Sequence, residues 1–60
     1  MNTAYELSKK LLALTMDMAQ EKTHRIDVYY NRMLSTGMPP LAAYLMTLVK
    51  FDLPTDEDGN

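Results

Sequence analysis

The chain has no cysteine among its 60 residues, and it contains few residues that interrupt a helix. Without cysteine it forms no disulfides, and redox chemistry gives no indication of its cellular compartment. Its two glycines and three prolines all lie outside the stretch from Thr3 to Thr36. Because glycine and proline are the strongest interruptions of helical structure, this stretch favours one long helix.

The chain also lacks an apolar segment long enough to cross a membrane. The uncharged stretch Met38 to Val49 has 12 residues, whereas a bilayer requires roughly 20. The apolar residues that follow Lys9 and Lys10 end at Asp17, which is too early for a signal peptide. The net charge of −2 provides no general attraction to anionic membranes or nucleic acid. We therefore expect a cytoplasmic protein that does not contact membranes.

Patterns typical of catalysis are missing as well. Neither serine lies in a nucleophile motif, and the isolated glycines form no phosphate-binding loop. Glu21 and His24 form a Glu-x-x-His pattern, which binds metal in some helical bundles. These two side chains are predicted to lie opposite much of the apolar surface, where they are solvated. We accordingly expect no catalytic residues, no metal and no cofactor, and hence no enzyme activity.

The helical patterns predict an all-α helical hairpin, with one long helix and one short buried helix. Helix one is expected at about 3–34, beginning at a capping box formed by Thr3 and Glu6 and ending before Gly37, the predicted left-handed residue. Its length would be roughly 48 Å at 1.5 Å per residue. Helix two is expected at about 39–52, beginning at a proline pair that suits a first helical turn. Together they form one predicted domain, residues 1–53, followed by an acidic tail, residues 54–60.

The N-terminal half of helix one carries a wide apolar surface. Helix two is apolar almost all round, as buried helices are, but at roughly 20 Å it is too short to cover both halves of helix one. A second apolar stripe is therefore left for another chain, formed by Leu7, Leu11, Leu14 and Met18. We predict that these residues form an oligomer or partner interface, with a two-fold homodimer and a four-helix arrangement as the simplest solution. The alternative is a single chain in which helix one bends near Gln20 to Thr23.

A basic face follows on the same helix. Lys22, Arg25, Tyr29 and Arg32 are separated by steps of three, four and three, so they share one side of a helix. Guanidinium groups beside a phenol ring suit a phosphate and a stacked base, which makes these residues a predicted anion or nucleotide site. The simpler interpretations are a solvated face on which Arg25 pairs with Glu21, or a face that receives the acidic tail.

Three functions are compatible with these patterns. The leading hypothesis is a homo-oligomeric protein-interaction module, an inhibitor or accessory factor that binds itself and another protein. The alternative is a module that binds a nucleotide or another small anionic ligand through the basic face. The third is a regulator that binds nucleic acid, a partner that the net acidity of the chain disfavours.

Overall fold

The computed structural model describes residues 2–54, and within them the chain forms three helices. These are α1 (Thr3–Leu14), α2 (Gln20–Ser35) and α3 (Pro40–Lys50). The all-α prediction is confirmed, but the prediction of one continuous helix at about 3–34 is wrong, because residues 15–19 separate α1 from α2. The bent alternative placed the bend near Gln20, and the interruption lies immediately before that position. Most of the predicted acidic tail, from residue 55 onward, lies outside the described residues.

Hydrogen bonds at the α1–α2 turn explain how the helix can end without glycine or proline. The Thr15 N–H donates to the carbonyls of Leu11 and Leu12, and its hydroxyl donates to Leu12 O at 3.1 Å. On the other side of the turn, Ala19 adopts an extended ψ of 145°. The Thr23 hydroxyl lies 3.2 Å from Ala19 O and 3.4 Å from Thr15 O. Several carbonyls freed by the interruption thus find local donors, while α2 begins without a side-chain cap.

Apolar burial explains why the chain turns back. The molecule measures 30 × 29 × 21 Å, so it is shorter in every direction than the roughly 48 Å of a continuous helix. By folding back, α1 contacts both α2 and α3. Each large apolar side chain buried in this way contributes about 1.5–3 kcal/mol, whereas a helical hydrogen bond contributes about 1 kcal/mol net. Burial of several side chains therefore outweighs the loss of helical bonds at the turn.

The helix ends differ in part from the predicted ones. Asn2, not Thr3, caps α1, because its Oδ1 accepts a hydrogen bond from Tyr5 N at 3.1 Å. Gly37 ends α2 as predicted, with a φ of 93° and with Met38 N bonded to Met33 O at 3.3 Å. This arrangement is a Schellman motif, in which a left-handed residue allows the last helical carbonyls to find donors.

The core lies where the three helices meet. Its buried apolar residues come from every helix and from the segment after α3: Leu11, Ile26, Tyr30, Ala43, Tyr44, Leu48 and Leu53. The Tyr30 hydroxyl donates to Ala4 O at 2.8 Å and so connects α2 to the first turn of α1. Burial raises the pKa of the Tyr30 phenol, because a low-dielectric environment disfavours the phenolate.

Helix α3 is buried on one side within this chain, whereas the sequence predicted a buried helix. Its inner side consists of Ala43, Tyr44, Thr47 and Leu48, and the Thr47 hydroxyl donates to Ala43 O at 2.7 Å. Neither α1 nor α2 covers the opposite side. The composition of α3 conceals this division, because apolar residues occupy both sides.

Candidate functional site

The outer side of α3 carries an apolar stripe, which we define by Leu41, Leu45, Met46 and Val49. Their exposed fractions are 57%, 49%, 44% and 82%. They lie at i, i+4, i+5 and i+8, so the helical repeat places them on one side. A groove of about 380 Å³ runs along this stripe and is bordered by Tyr29 of α2 and by Lys50. Exposed apolar surface of this extent is typical of a contact surface.

The residues predicted from the sequence to form an interface are not part of the apolar stripe of α3. Leu11 is buried in the core of the same chain, and the three other predicted residues, Leu7, Leu14 and Met18, are partly buried and pack against it. A short helix on a straight helix one could not reach this part of the chain. Because α1 turns back, α3 does contact it. The four predicted residues are therefore covered to a large extent within their own chain.

The predicted basic face is brought together with an aromatic residue that the helical spacing did not include. Phe51, directly after α3, packs edge-to-face on Tyr29, with ring centroids 5.6 Å apart and planes at 84°. A groove of about 340 Å³, which we call the Tyr29–Phe51 groove, is lined by His24, Arg25, Val28, Tyr29, Arg32 and Phe51. Phe51 lies some twenty residues from the basic face in sequence, so only the position of α3 could have identified it.

Lys22 lies apart from this groove. It lines a neighbouring groove of about 340 Å³ together with Ala19, Glu21, Arg25 and Phe51. Arg25 and Phe51 therefore border both grooves, and the structure brings three of the four predicted anion-site residues into the first one. The fourth, Lys22, lines only the neighbouring groove.

The electrostatics of the Tyr29–Phe51 groove are basic. Arg25 Nη2 lies 3.2 Å from Glu21 Oε2, and both side chains are largely exposed. Lys50 Nζ lies 5.8 Å from the centroid of the Tyr29 ring, an arrangement that adds a third cation beside Arg25 and Arg32. Neither Lys22 nor Arg32 forms an ion pair with any residue between 2 and 54. An exposed ion pair such as Arg25–Glu21 is weak, so an anion can compete for the guanidinium.

A larger groove, of about 750 Å³, lies beside the α1–α2 turn. Its lining combines apolar and polar side chains: Leu12, Thr15, Met16, Met18, Gln20, Thr23, His24 and Asp27. Asp27 Oδ1 accepts a hydrogen bond from Asn31 Nδ2 at 3.1 Å. Within residues 2–54, no three histidine or carboxylate side chains are grouped closely enough to hold a metal ion. Among the described residues, this groove therefore has no cluster of metal ligands.

Comparison with known proteins identifies no family for this chain. No protein-family model matches it, and searches of curated proteins and of solved structures find no match. No helix in the part of the chain that the structure describes has the length and apolar character needed to cross a membrane. Two surfaces of the molecule are the candidates for a function: the apolar stripe of α3 and the Tyr29–Phe51 groove.

Proposed function

We propose that this protein is a small self-associating helical module that acts by binding protein surfaces through the apolar stripe of α3. The observation that carries the proposal is the exposure of Leu41, Leu45, Met46 and Val49 on one side of a helix whose other side is buried. These residues are in contact with water in the single folded chain, so covering them with a partner lowers the free energy. Methionine favours such a role, because its flexible thioether adapts to different surfaces.

A second copy of the chain is a suitable first partner for this stripe. Leu41, Leu45 and Val49 are four residues apart and form one ridge, which is the arrangement that packs two helices at about −50°. Around a two-fold axis near Leu45, antiparallel helices place Leu41 of one copy against Val49 of the other. Lys50, the charged residue of α3, then lies at opposite ends of the contact, so the two ammonium groups stay apart.

The size of the stripe sets the expected strength of the dimer. From their exposed fractions, the four residues offer on the order of 400 Å² of surface, a patch size that is often functional. A stable complex buries about 800 Å² per partner. The homodimer is therefore weak and concentration-dependent, which leaves the stripe available to another protein that presents an apolar helix. In that role the chain acts as an inhibitor or an accessory factor.

Sedimentation equilibrium at protein concentrations from about 10 μM to about 1 mM tests this proposal. The mass of the wild-type protein should rise from 6.9 kDa toward twice that value. The double substitution L45D/V49D should keep the mass at that of one chain while leaving the helical circular dichroism unchanged. The control L12D/M16D changes two exposed apolar residues away from the stripe, Leu12 of α1 and Met16 of the α1–α2 turn, and should behave as the wild type does. A wild type that stays monomeric at about 1 mM, or a stripe variant that still dimerises, would contradict the proposal.

A further inference from the structure

We propose that the Tyr29–Phe51 groove is a binding site for a nucleotide, a ligand that combines a flat ring with phosphate. The groove is lined by the outer side of α2 and by Phe51, and the stripe residues of α3 are not part of its lining, although Tyr29 borders both this groove and the stripe. It rests on three features of this part of the molecule: charge, aromatic geometry and size.

The first feature is an unusual concentration of positive charge. The chain has six Lys and Arg residues and a net charge of −2. Four of the six border the Tyr29–Phe51 pair or the grooves beside it, namely Lys22, Arg25, Arg32 and Lys50. The acidic side chain among the lining residues is Glu21, which pairs with Arg25 in solvent. A locally basic surface on an acidic chain attracts anions to this one place.

The second feature is the arrangement of the cations around the aromatic pair. Arg25 and Arg32 are seven residues apart on α2, or roughly 10 Å along the helix axis, and Tyr29 lies between them. A guanidinium group binds phosphate through two parallel hydrogen bonds. Because the rings of Tyr29 and Phe51 are nearly perpendicular, they form a corner into which a flat ring fits. Lys50 already lies over the Tyr29 ring, so Phe51 is the ring on which a base stacks.

The third feature is the size of the groove. Its volume of about 340 Å³ lies at the lower end of the range for small-ligand sites, about 300–1,000 Å³. A simple inorganic anion would leave the aromatic corner empty, whereas one mononucleotide uses both the cations and the rings. His24, which also lines the groove, adds a donor that can contact phosphate.

Titration of the ¹⁵N-labelled 60-residue chain with ATP tests the proposal, with adenosine and inorganic triphosphate as separate probes. Amide shifts caused by ATP should be concentrated at residues 24–32 and at Phe51. The R25Q/R32Q variant should bind ATP at least about tenfold more weakly, because two charge-assisted contacts are lost. Phe51→Leu should weaken the binding of ATP but not that of triphosphate. Lys9→Gln is the matched control, because Lys9 Nζ also lies over an aromatic ring, 5.3 Å from the centroid of Tyr5, but at another place in the fold.

Three results would overturn the proposal. The first is an absence of localised shifts at about 10 mM ATP and low salt, where weak phosphate contacts are strongest. The second is an unchanged ATP affinity in R25Q/R32Q, whose substituted side chains are solvent-facing and whose fold is checked by the dispersion of the same spectra. The third is equal affinity for ATP and triphosphate, which would show that the aromatic corner takes no part. All three readouts are separate from the oligomeric mass that tests self-association.

Discussion

Two apolar stripes with similar helical spacing have opposite positions in this molecule. Leu7, Leu11, Leu14 and Met18 lie within or against the core, whereas the stripe of α3 faces outward. Composition does not separate them, since both consist of leucine, methionine and similar residues. What separates them is the α1–α2 turn, which folds one stripe onto the other helices and leaves no element among residues 2–54 to cover the second. The position of a turn can thus decide which apolar surface is core and which is available for contact.

Matched leucine truncations test this comparison with the largest expected effect. Leu11→Ala removes a buried side chain, 4% exposed, and should reduce the free energy of unfolding by about 3 kcal/mol. Leu45→Ala makes the same chemical change on a half-exposed leucine and should cost about 0.5 kcal/mol. A chain of this length has a total stability of only about 3–9 kcal/mol, so the first variant should be largely destabilised.

Urea denaturation followed by circular dichroism at a low protein concentration measures both values without a contribution from self-association. The ratio of the two losses is the informative quantity. Similar losses for Leu11→Ala and Leu45→Ala would mean that the α3 stripe is covered in the folded protein, and the distinction between the two stripes would then be wrong.

The sequence predicted the class of fold and one helix end correctly. Absence of glycine and proline before Thr36 indicated helix throughout, and Gly37 marked the end of α2 because a left-handed residue is needed there. The turn at residues 15–19 was not predictable from such signals. One of its hydrogen bonds runs from the Thr23 hydroxyl to the backbone carbonyl of Thr15, eight residues earlier, and this bond forms only when the chain has already folded back.

The candidate sites were predictable to a different degree. Helical spacing alone placed Arg25, Tyr29 and Arg32 on one side of a helix, and the structure brings them into one groove. Phe51 joins them through the packing of α3, which depends on tertiary structure. The outer stripe of α3 was missed because a helix that is apolar on all sides gives no periodic signal of which side is buried.

Tyr30→Phe tests the contact that holds the covered stripe in place. The Tyr30 hydroxyl donates to Ala4 O at 2.8 Å, so its removal should reduce the free energy of unfolding by about 1 kcal/mol at neutral pH. Because burial raises the pKa of Tyr30 in the folded protein, the phenol loses its proton more readily in the unfolded chain. The protonated phenol therefore makes its full contribution to the free energy of unfolding at pH values below the pKa of Tyr30 in the unfolded chain. That contribution is lost as the pH rises through the pKa of Tyr30 in the folded protein.

Thermal unfolding between neutral pH and about pH 11 checks the sign of this effect. The wild-type protein should lose more stability across the alkaline range than Tyr30→Phe does. Tyr5→Phe is the control, because it removes the hydroxyl of a tyrosine that is 59% exposed and lies outside the core. If Tyr30→Phe and Tyr5→Phe give the same profile, the Tyr30 phenol is not the group responsible.

The smallest expected change in the free energy of unfolding concerns the C-terminal end of α3. The conformation of this end determines which side of α3 packs against the core. Asp52 has a φ of 54°, and Leu53 N bonds to Leu48 O at 2.9 Å, so this end repeats the Schellman motif of Gly37 with an aspartate in the left-handed position. Leu53 is thereby held in the core. Since glycine adopts this conformation without a steric penalty, Asp52→Gly should raise the free energy of unfolding by about 0.5 kcal/mol.

The reciprocal change, Gly37→Asp, should lower the free energy of unfolding by about 1 kcal/mol. An added Cβ at Gly37 would meet no atom within 4 Å, so backbone conformation alone determines this cost. Urea titration of both variants measures the pair. Opposite signs of the two changes in the free energy of unfolding would show that the left-handed residue governs both helix ends. They would also show that the end of α3 holds Leu53 in the core at the cost of a small backbone strain at Asp52. A loss of stability in Asp52→Gly would instead mean that the aspartate side chain itself stabilises the end of α3, and with it the separation of a covered side from an exposed one.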